Sequence, residues 1–294
     1  MRVATHDGSF HADDVFAVAT LSLVDAALQI VRTRDEDLQA SCDLRVDVGW
    51  REDAASGDFD HHQRGGAGER PNGVRYASFG LVWRHYGERI CGGDPDVAEW
   101  IDRSLVQGID AHDNGQRVSA PLIDDLEPMT VSRALTAYNP LWDEDDSPAE
   151  GDRRFGEAVA LAGRILAREV AAGAAHARAA ALVADAIGRA ADPRLIELDR
   201  DLPWHRAVVT GAPEALFVIY PKTSAWGLRA VPRELGDFAN RRDLPAAWAG
   251  LSGAGLVAAT GVGDAVFCHS ARFMAVAGSR EGITALARLA LAAG

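Results

Sequence analysis

The sequence is poor in cysteine and has no long apolar run. Its three cysteines, Cys42, Cys91 and Cys268, are scattered and form no C-x-x-C pair. This usage indicates a reducing compartment, so we expect a cytoplasmic protein. No run of about eighteen apolar residues occurs, and the N-terminus lacks a charged region followed by an apolar one. We therefore expect no transmembrane helix, no signal peptide and no membrane partner.

Positive charge is also scarce. The 30 lysines and arginines are outnumbered by 43 aspartates and glutamates, which gives a formal net charge of −13. Proteins that grip long duplex nucleic acid usually carry a basic surface, so this balance argues against such a partner. It favours small substrates, or short single strands held in a locally basic cleft. Bound cations would cancel part of the negative charge.

The first 125 or so of the 294 residues alternate between predicted strands and helices. Strands are expected at 2–5, 29–32 and 44–48, and helices at 13–27, 78–86 and 95–109. Such alternation is typical of an α/β domain with a mainly parallel sheet, in which ligands gather at the carboxyl ends of the strands. His6 and Asp47 both lie at predicted strand ends, so we expect them at a ligand site.

The rest of the chain predicts a helical connection and a second domain. Residues 114–150 are loop-rich, and their acidic run at 143–146 is interpreted as a solvated face. Further elements are expected as an alanine-rich helix at 153–191, strands at 207–209, 216–220, 227–231, 256–259 and 265–268, and a helix at 281–293. The predicted fold is α/β, with an N-terminal mainly parallel-sheet domain (1–150), a helical linker (151–194) and a smaller C-terminal α/β domain (195–294).

Three short segments gather side chains that ligate metals. They are residues 6–14 (HDGSFHADD), 46–49 (VDVG) and 58–63 (DFDHHQ). Imidazole and carboxylate together suit Mn²⁺, Fe²⁺, Co²⁺ or Zn²⁺, whereas Mg²⁺ prefers an oxygen shell. Each segment alone could have a purely structural role, because Asp13 and Asp14, for example, could merely cap a helix. The prediction of a metal site rests on the conjunction of all three.

The order of these segments resembles the DHH phosphoesterase superfamily, and more closely the melanocyte-proliferating-gene-one family (MYG, UPF0160) of exonucleases. The matching stretches extend over nearly the whole chain: 5–14 (THDGSFHADD), 31–35 (VRTRD), 42–49 (CDLRVDVG), 59–64 (FDHHQR), 77–83 (ASFGLVW), 108–115 (GIDAHDNG), 220–221 (YP), 226 (W), 230–232 (AVP), 267–269 (FCH) and 280–282 (REG). The resemblance implies a DHH-type catalytic domain followed by a C-terminal domain that binds substrate.

The resemblance also implies two divalent metal ions, with Mn²⁺ preferred and Mg²⁺, Co²⁺, Fe²⁺ or Zn²⁺ as alternatives. The implied ligands are His6, His11 and Asp47 for one ion, and Asp13, Asp47, His61 and Asp110 for the other. Asp47 would therefore bridge the ions, and Asp14 and Asp113 are less certain neighbours. His11 stands where the superfamily usually has an aspartate, which lowers the negative charge of the site by one.

The implied reaction is metal-assisted hydrolysis of a phosphate ester, with Asp47, His62 and Asp60 as catalytic residues. His62 would face the phosphate, and Asp60 would orient a histidine. The implied enzyme is a 3′–5′ exonuclease on short single-stranded RNA or DNA, and a homodimer is compatible with the resemblance. The second domain would supply the phosphate contacts Lys222, Arg229, His269 and Arg280.

Two other functions remain open at this point. One is a small-molecule phosphatase acting on pyrophosphate, a nucleotide or a cyclic dinucleotide. The negative charge is compatible with it, and the sequence has no obvious aromatic stacking track for bases. The other is a non-catalytic metal-binding regulator. The ligand set with Asp47 and His62 argues against it, because a structural metal site has no use for open coordination positions.

Overall fold

The computed structural model describes residues 1–124 and 126–293, and the chain divides into two compact units. Unit 1 is Met1–Ala174 and unit 2 is Ala175–Gly294. Asp125, in the predicted loop 114–150, and Gly294, at the end of the predicted C-terminal domain, lie outside the described residues.

Unit 1 contains a five-stranded sheet. Its strands are β1 (Arg2–Thr5), β2 (Gln29–Arg32), β3 (Leu44–Val46), β4 (Glu52–Asp53) and β5 (Asp58–Phe59). They lie in the order β2-β1-β3-β5-β4, and only the edge pair β4–β5 is antiparallel. The predicted mainly parallel sheet is confirmed. β3 ends two residues earlier than predicted because Asp47 has a left-handed backbone (φ 58°), which does not continue a strand.

Unit 1 also contains helices that pack against the sheet and against one another. They are α1 (Ala12–Val24), α2 (Glu36–Ala40), α3 (Ser78–Ile90), α4 (Pro95–Ile101), α5 (Gln107–Asp113) and α6 (Val131–Thr136). A π-helical turn at Asp102–Val106 joins α4 to α5, so the predicted helix 95–109 extends to residue 113. The rings of Phe16 and Phe79 stack with centroids 5.1 Å apart and pack α1 against α3. This packing brings the first residues of the two helices together.

One continuous helix, α7 (Pro148–Arg189), runs for 42 residues. Its earlier part buries Phe155 and Leu166, and its later part places Val183 in the core of unit 2. The boundary between the units therefore falls inside the helix. By length and composition alone α7 could cross a membrane, since one window of it has a hydropathy of 1.3, but those two properties are weak evidence for a span.

Unit 2 contains a second five-stranded sheet. Its strands are β6 (Leu195–Glu197), β7 (Phe217–Pro221), β8 (Trp226–Ala230), β9 (Ala265–Cys268) and β10 (Met274–Ala277), in the order β6-β7-β8-β10-β9. Only β6 and β7 pair in parallel. The helices are α8 (His205–Gly211), α9 (Gly253–Thr260) and α10 (Arg280–Ala292), with a 3-10 turn at Ala246–Trp248.

Two predicted strands in unit 2 were wrong. Residues 207–209 lie in α8 and residues 256–259 lie in α9. Both are short apolar runs, and periodicity alone cannot distinguish such a run in a strand from one in a buried helix. Conversely, β6 and β10 were not predicted, nor was α6 in the loop-rich region. The final helix is confirmed within one residue, and the Ser279 side chain caps it by accepting the Gly282 N–H.

Candidate metal centre

Asp47 lies at the centre of the site, directly after β3. Its left-handed backbone costs a non-glycine residue on the order of 1 kcal/mol. The side chain is almost fully buried, and its carboxylate oxygens lie 3.4 Å from His6 Nε2, 3.3 Å from His61 Nε2 and 3.5 Å from His62 Nδ1. Ser78 Oγ donates to Asp47 Oδ1 at 3.0 Å. One carboxylate is thus shared by imidazoles from two segments of the chain.

His6, which follows β1, is held between two carboxylates. Its Nε2 lies 3.2 Å from Asp14 Oδ2 and 3.4 Å from Asp47 Oδ2, and its Nδ1 lies 3.0 Å from the Asp7 carbonyl oxygen. A carbonyl oxygen can only accept, so Nδ1 carries the hydrogen and Nε2 faces the carboxylates. Asp14 is fully buried, and its other oxygen accepts the His11 backbone N–H at 2.8 Å. The ring is therefore oriented with Nε2 toward the centre of the site.

His61 faces a second group of carboxylates. Its Nε2 lies 3.1 Å from Asp113 Oδ2, at the end of α5. Asp13 is also buried, and its two oxygens accept the backbone N–H groups of Ser78 at 3.0 Å and Phe79 at 2.7 Å. These donors are unpaired N–H groups of the first turn of α3, where the helix dipole stabilises negative charge. The start of α3 therefore fixes Asp13 beside His61.

His62 is the accessible histidine of the pair, with about half of its side chain exposed. Its Nδ1 lies 2.8 Å from Asp60 Oδ1, which also accepts the His62 backbone N–H at 3.0 Å. The other oxygen of Asp60 accepts the Trp50 N–H at 2.6 Å. The hydrogen bond to Asp60 raises the pKa of His62, although burial opposes it. Asp60 thus orients the ring and leaves Nε2 as the nitrogen that can meet a ligand.

Asp110 lies against Arg70 and the start of α3. Its Oδ1 accepts the Gly80 N–H at 2.9 Å, and its Oδ2 accepts from Arg70 Nη1 at 2.8 Å. Burial raises the pKa of Asp110 to about 7 even though Arg70 opposes the shift. Both oxygens accept from N–H donors, as those of Asp13 do, and the carboxylate 3.1 Å from His61 Nε2 is that of Asp113. The role of Asp110 as a metal ligand stays a prediction.

The two buried histidines are strongly basic in this arrangement. Burial lowers the pKa of His6, but hydrogen bonds to Asp14 and Asp47 outweigh it and raise the pKa to about 10. Burial also lowers the pKa of His61, but Asp113 and Asp47 outweigh burial and raise this pKa to about 11. Each ring is therefore protonated at neutral pH unless another cation replaces the proton.

The carboxylates show the complementary effect. Burial, together with the negative charges of Asp113 and Asp47, raises the pKa of Asp13 well above its usual range. Burial also raises the pKa of Asp14, although His6 partly offsets it. Burial opposes the charged form of Asp47, but the neighbouring His6, His61 and His62 outweigh it and lower the pKa of this carboxyl. Burial thus disfavours the charged forms of Asp13 and Asp14, and divalent cations bound beside them would favour those forms.

The donor set fits divalent cations. Two groups of three residues, Asp47–His61–His62 and Asp13–His61–Asp113, each bring one ligand atom per residue within 4.8 Å of the others. His61 Nε2 is buried and makes no hydrogen bond of good geometry with any described residue. Such an orphaned nitrogen next to carboxylates is the chemistry of a metal ligand, and imidazole with carboxylate suits first-row divalent ions.

A cavity of about 970 Å³ opens at this cluster. His11, exposed at the start of α1 with its ring 6.2 Å from that of His6, lines it without belonging to either three-residue group. Arg34, Arg45 and Arg51 also line the cavity. Arg45 and Arg51 both form ion pairs with Asp58, which is buried. The cavity wall therefore carries arginines among its carboxylates, and two of these arginines are paired with Asp58.

The four substrate contacts predicted for the second domain all lie in unit 2. Arg229 and His269 both contact the ring of Phe273. The Cζ of Arg229 lies 5.3 Å from the centroid of that ring, and the ring centroid of His269 lies 4.4 Å from it. Lys222 Nζ lies 5.3 Å from an aromatic ring of β7, and Arg280 Nε is 2.5 Å from a β6 glutamate. Their contact with substrate stays a prediction.

Three residues of the site were not predicted from the sequence. Ser78 lies in the matching stretch 77–83, and its position at the start of a predicted helix could have suggested N–H donors for an anion. Arg70, which binds Asp102 as well as Asp110, comes from a glycine-rich loop with no pattern that marks it. Trp50 gave no signal because a single aromatic residue after a glycine is common in loops of every kind.

Comparison with known proteins identifies the family. The model of an uncharacterised protein family (UPF0160) matches residues 2–291. The chain is 32% identical to the MYG1 exonuclease of Homo sapiens over 99% of its own length and 86% of the relative's. It is also 32% identical to a MYG1 protein of Saccharomyces cerevisiae (99% and 96% covered) and 33% identical to one of Chlamydia muridarum (95% and 92% covered). The chain belongs to the MYG1 (UPF0160) family, so the resemblance to that family is confirmed.

Among solved structures, the chain is similar to RecJ of Thermus thermophilus in complex with Mg²⁺. The match has a TM-score of 0.30 and 12% identity, and it covers 99% of this chain and 50% of RecJ. A likeness at this level carries no argument about mechanism or substrate.

Proposed function

We propose that this chain is a metal-dependent phosphoesterase that works as an exonuclease on short single-stranded RNA or DNA. The observation that carries the proposal is the buried carboxylate of Asp47, which three histidines share at the wall of a cavity of about 970 Å³. The names of the human and mouse relatives, MYG1 exonuclease, support the reaction class.

The side chains around Asp47 would hold two divalent ions, with Mn²⁺ as the first candidate. His6 would serve one ion, His61 and Asp113 the other, and Asp47 would be shared between them. Asp13, already bound by two N–H groups of α3, would complete the second ion's surroundings. When bound, such ions lower the pKa of an attacking water and offset charge on the phosphate oxygens.

His62 and Asp60 form the unit that meets the substrate. The hydrogen bond between Asp60 and His62 Nδ1 raises the pKa of the imidazole and fixes the orientation of its ring. A positioned imidazolium can donate to a phosphate oxygen and offset the charge that develops during hydrolysis. His62 therefore works through Nε2, while Asp60 acts on it as a positioning residue.

The arginines of the cavity favour an anionic, extended substrate. Arg34 and Arg51 are both more than half exposed in their side chains, and a guanidinium fork matches phosphate geometry. The net charge of −13 disfavours long duplexes, which leaves short single strands as the preferred substrate. The 3′–5′ direction, the contacts from Lys222, Arg229, His269 and Arg280, and a homodimer belong to the proposal through the family resemblance alone.

The test is hydrolysis of 5′-labelled and 3′-labelled RNA and DNA oligomers of about two to twenty nucleotides, a range that includes typical single-strand footprints. The reactions contain Mn²⁺ or a chelator. We expect a ladder of products that requires the metal and that is absent with Asp47→Ala and His61→Ala. Asp143→Ala, a change in the exposed acidic run, is the matched control and should cleave as the wild type does.

The other outcomes separate the remaining functions. Turnover retained by metal-free Asp47→Ala would overturn the metal assignment. Cleavage of pyrophosphate or nucleotides without any oligomer ladder would replace the exonuclease by a small-molecule phosphatase, which the acidic charge also suits. Metal binding without turnover on any substrate would identify a regulator.

A further inference from the structure

Trp50 is an exposed aromatic residue at the edge of the metal cavity. Its side chain is 72% exposed, yet it lines the same cavity as Asp47 and His62. It lies in the short loop that leaves β3, three residues after Asp47. Its indole is therefore accessible to a molecule that enters the cavity.

The backbone at Trp50 is also in an unfavourable conformation. Its φ of 56° is left-handed, where glycine or asparagine is the usual residue and a bulky side chain is rare. The N–H of Trp50 is nevertheless held by Asp60 Oδ2 at 2.6 Å. The fold therefore tolerates local strain to hold a tryptophan at this place, a combination that is typical of binding sites.

Asp60 couples the position of Trp50 to that of His62. One oxygen of Asp60 binds the Trp50 N–H, and the other lies 2.8 Å from His62 Nδ1. The rings of Trp50 and His62 contact each other edge to face, with centroids 5.9 Å apart and planes at 64°. The indole is thus in direct contact with His62, the histidine that would meet the phosphate.

We propose that Trp50 is the platform on which a nucleobase of the substrate stacks, next to the phosphate bound at His62. This inference rests on the proposed function, because it names the part of a nucleotide substrate that the cavity recognises beyond its phosphate. Every base has a flat π-face, so one exposed indole binds any base without reading its sequence. Arg51, the next residue along the chain and also at the cavity, provides positive charge for the adjoining backbone.

The test compares ligands that differ only in the base. Binding of a nucleoside 5′-monophosphate and of ribose 5-phosphate is measured by calorimetry for the metal-loaded wild type and for Trp50→Ala, Trp50→Phe and Trp50→Gly. Trp50→Ala should weaken nucleotide binding about tenfold, near the lower end of what a base–aromatic stack contributes, and leave ribose 5-phosphate unchanged. Trp50→Phe should retain most of the affinity.

Trp50→Gly separates binding from folding. Glycine accepts the left-handed φ, so this variant should lose nucleotide affinity as Trp50→Ala does without a lower thermal midpoint. Trp142→Ala is the matched control, because Trp142 is 95% exposed and is not among the residues that line the cavity. It should bind both ligands as the wild type does.

The outcomes distinguish this inference from the proposed function. Equal nucleotide affinity in Trp50→Ala and the wild type would contradict the proposal that a nucleobase stacks on Trp50. A Trp50→Gly protein that unfolds at a clearly lower temperature would also contradict it. Failure of the wild type to cleave any oligomer, with the base-dependent loss in Trp50→Ala intact, would remove the exonuclease and keep the nucleobase site.

Discussion

The two units differ in what they bury. Unit 1 encloses many polar and charged side chains: His6, Asp13, Asp14, Asp47, Asp58, Asp60, Arg70 and Asp110 are each at most 6% exposed. In the described part of unit 2, residues 175–293, no charged side chain or histidine is buried. Its interior strand β7 instead alternates between two apolar clusters, with Phe217 and Ile219 on one and Val218 and Tyr220 on the other.

This difference indicates that unit 1, and not unit 2, gives up folding stability in order to form a functional site. Buried carboxylates and imidazoles carry a desolvation cost that only hydrogen bonds, ion pairs or bound cations offset. Unit 2 carries no such cost, because its sheet is stabilised by apolar burial on both faces. Unit 1 should therefore respond to metal and pH, whereas unit 2 should respond mainly to changes in packing.

The largest expected effect is that of Gly80→Ala in unit 1. A Cβ at Gly80 would lie 1.9 Å from Asp110 Oδ2 and 2.8 Å from Arg70 Nη2, so it would displace a buried ion pair. We expect a loss of about 3–5 kcal/mol in the free energy of unfolding, as for other broken buried pairs. Denaturant unfolding followed by circular dichroism measures it.

Gly282→Ala in unit 2 is the matched control. Its Cβ would lie 2.0 Å from Asp264 Oδ1, but Asp264 is only partly buried and can move toward solvent. The loss should be clearly smaller than for Gly80→Ala. A Gly80→Ala protein as stable as the wild type would show that the buried pair is not a constraint on unit 1.

Removal of metal should have the next largest effect, and it should be confined to unit 1. With the ion at about a hundred times its Kd, chelation removes about 2.7 kcal/mol of stability. Hydrogen exchange should then lose protection at residues 4–14 and at the start of α3, and keep it in β7 and β8. Asp47→Ala should not respond to the chelator, and an equal loss of protection in both units would contradict the comparison.

Metal affinity should depend on pH because metal and protons compete for the same nitrogens. In the metal-free protein the pKa of His6 is about 10 and that of His61 about 11, so both are protonated at pH 8. In the metal-free protein, each protonated ring stabilises the fold through its ion pair with a carboxylate. This stabilisation is complete below the ordinary histidine pKa and is lost as the pH rises through the raised values.

Metal binding at pH 8 should therefore release up to about two protons, and affinity should rise by up to about tenfold per pH unit for each proton released. Calorimetry in buffers of different ionisation enthalpy counts the protons. Release of none would mean that His6 and His61 do not ligate the ions.

The smallest expected effect is a gain in stability from Gly156→Ala on α7. Apart from its own stretch of helix, no described residue comes within 4 Å of a Cβ placed at Gly156, and the residue is exposed. Alanine should raise the free energy of unfolding by up to about 1 kcal/mol, because it has the higher helix propensity. The thermal midpoint measures the gain, with the charge-neutral Ala160→Gly on the same exposed face as the reverse change. A lower midpoint for Gly156→Ala would show a contact at this face.

The sequence predicted unit 1 better than unit 2 for a physical reason. Strands at 2–5 and 29–32 are followed by polar residues that mark where each strand ends, whereas residues 207–209 and 256–259 are apolar in a way that suits either a helix or a strand. β10 in the second sheet was missed because its residues, MAVA, have no alternation of apolar and polar side chains.

The candidate site was also only partly predictable from the sequence, and here the limit concerns single residues. The segments that carry the ligands were visible, since histidine and aspartate are rare inside proteins without a partner. Which aspartate of α5 lies beside His61 was not, because Asp110 and Asp113 are three residues apart on one helix and share a face. In the structure Asp110 binds Arg70, which comes from a distant loop, and Asp113 lies 3.1 Å from His61 Nε2.

The helix α7 determines how this chain can be divided into fragments. The unit boundary falls between Ala174 and Ala175, inside 42 continuous residues. A cut there would leave two new helix ends, each with up to four unpaired backbone groups. The surrounding residues 171–177 (AAGAAHA) contain no serine, threonine, aspartate or asparagine to cap them. Truncations that preserve either unit should therefore overlap, so that each fragment carries the whole of α7.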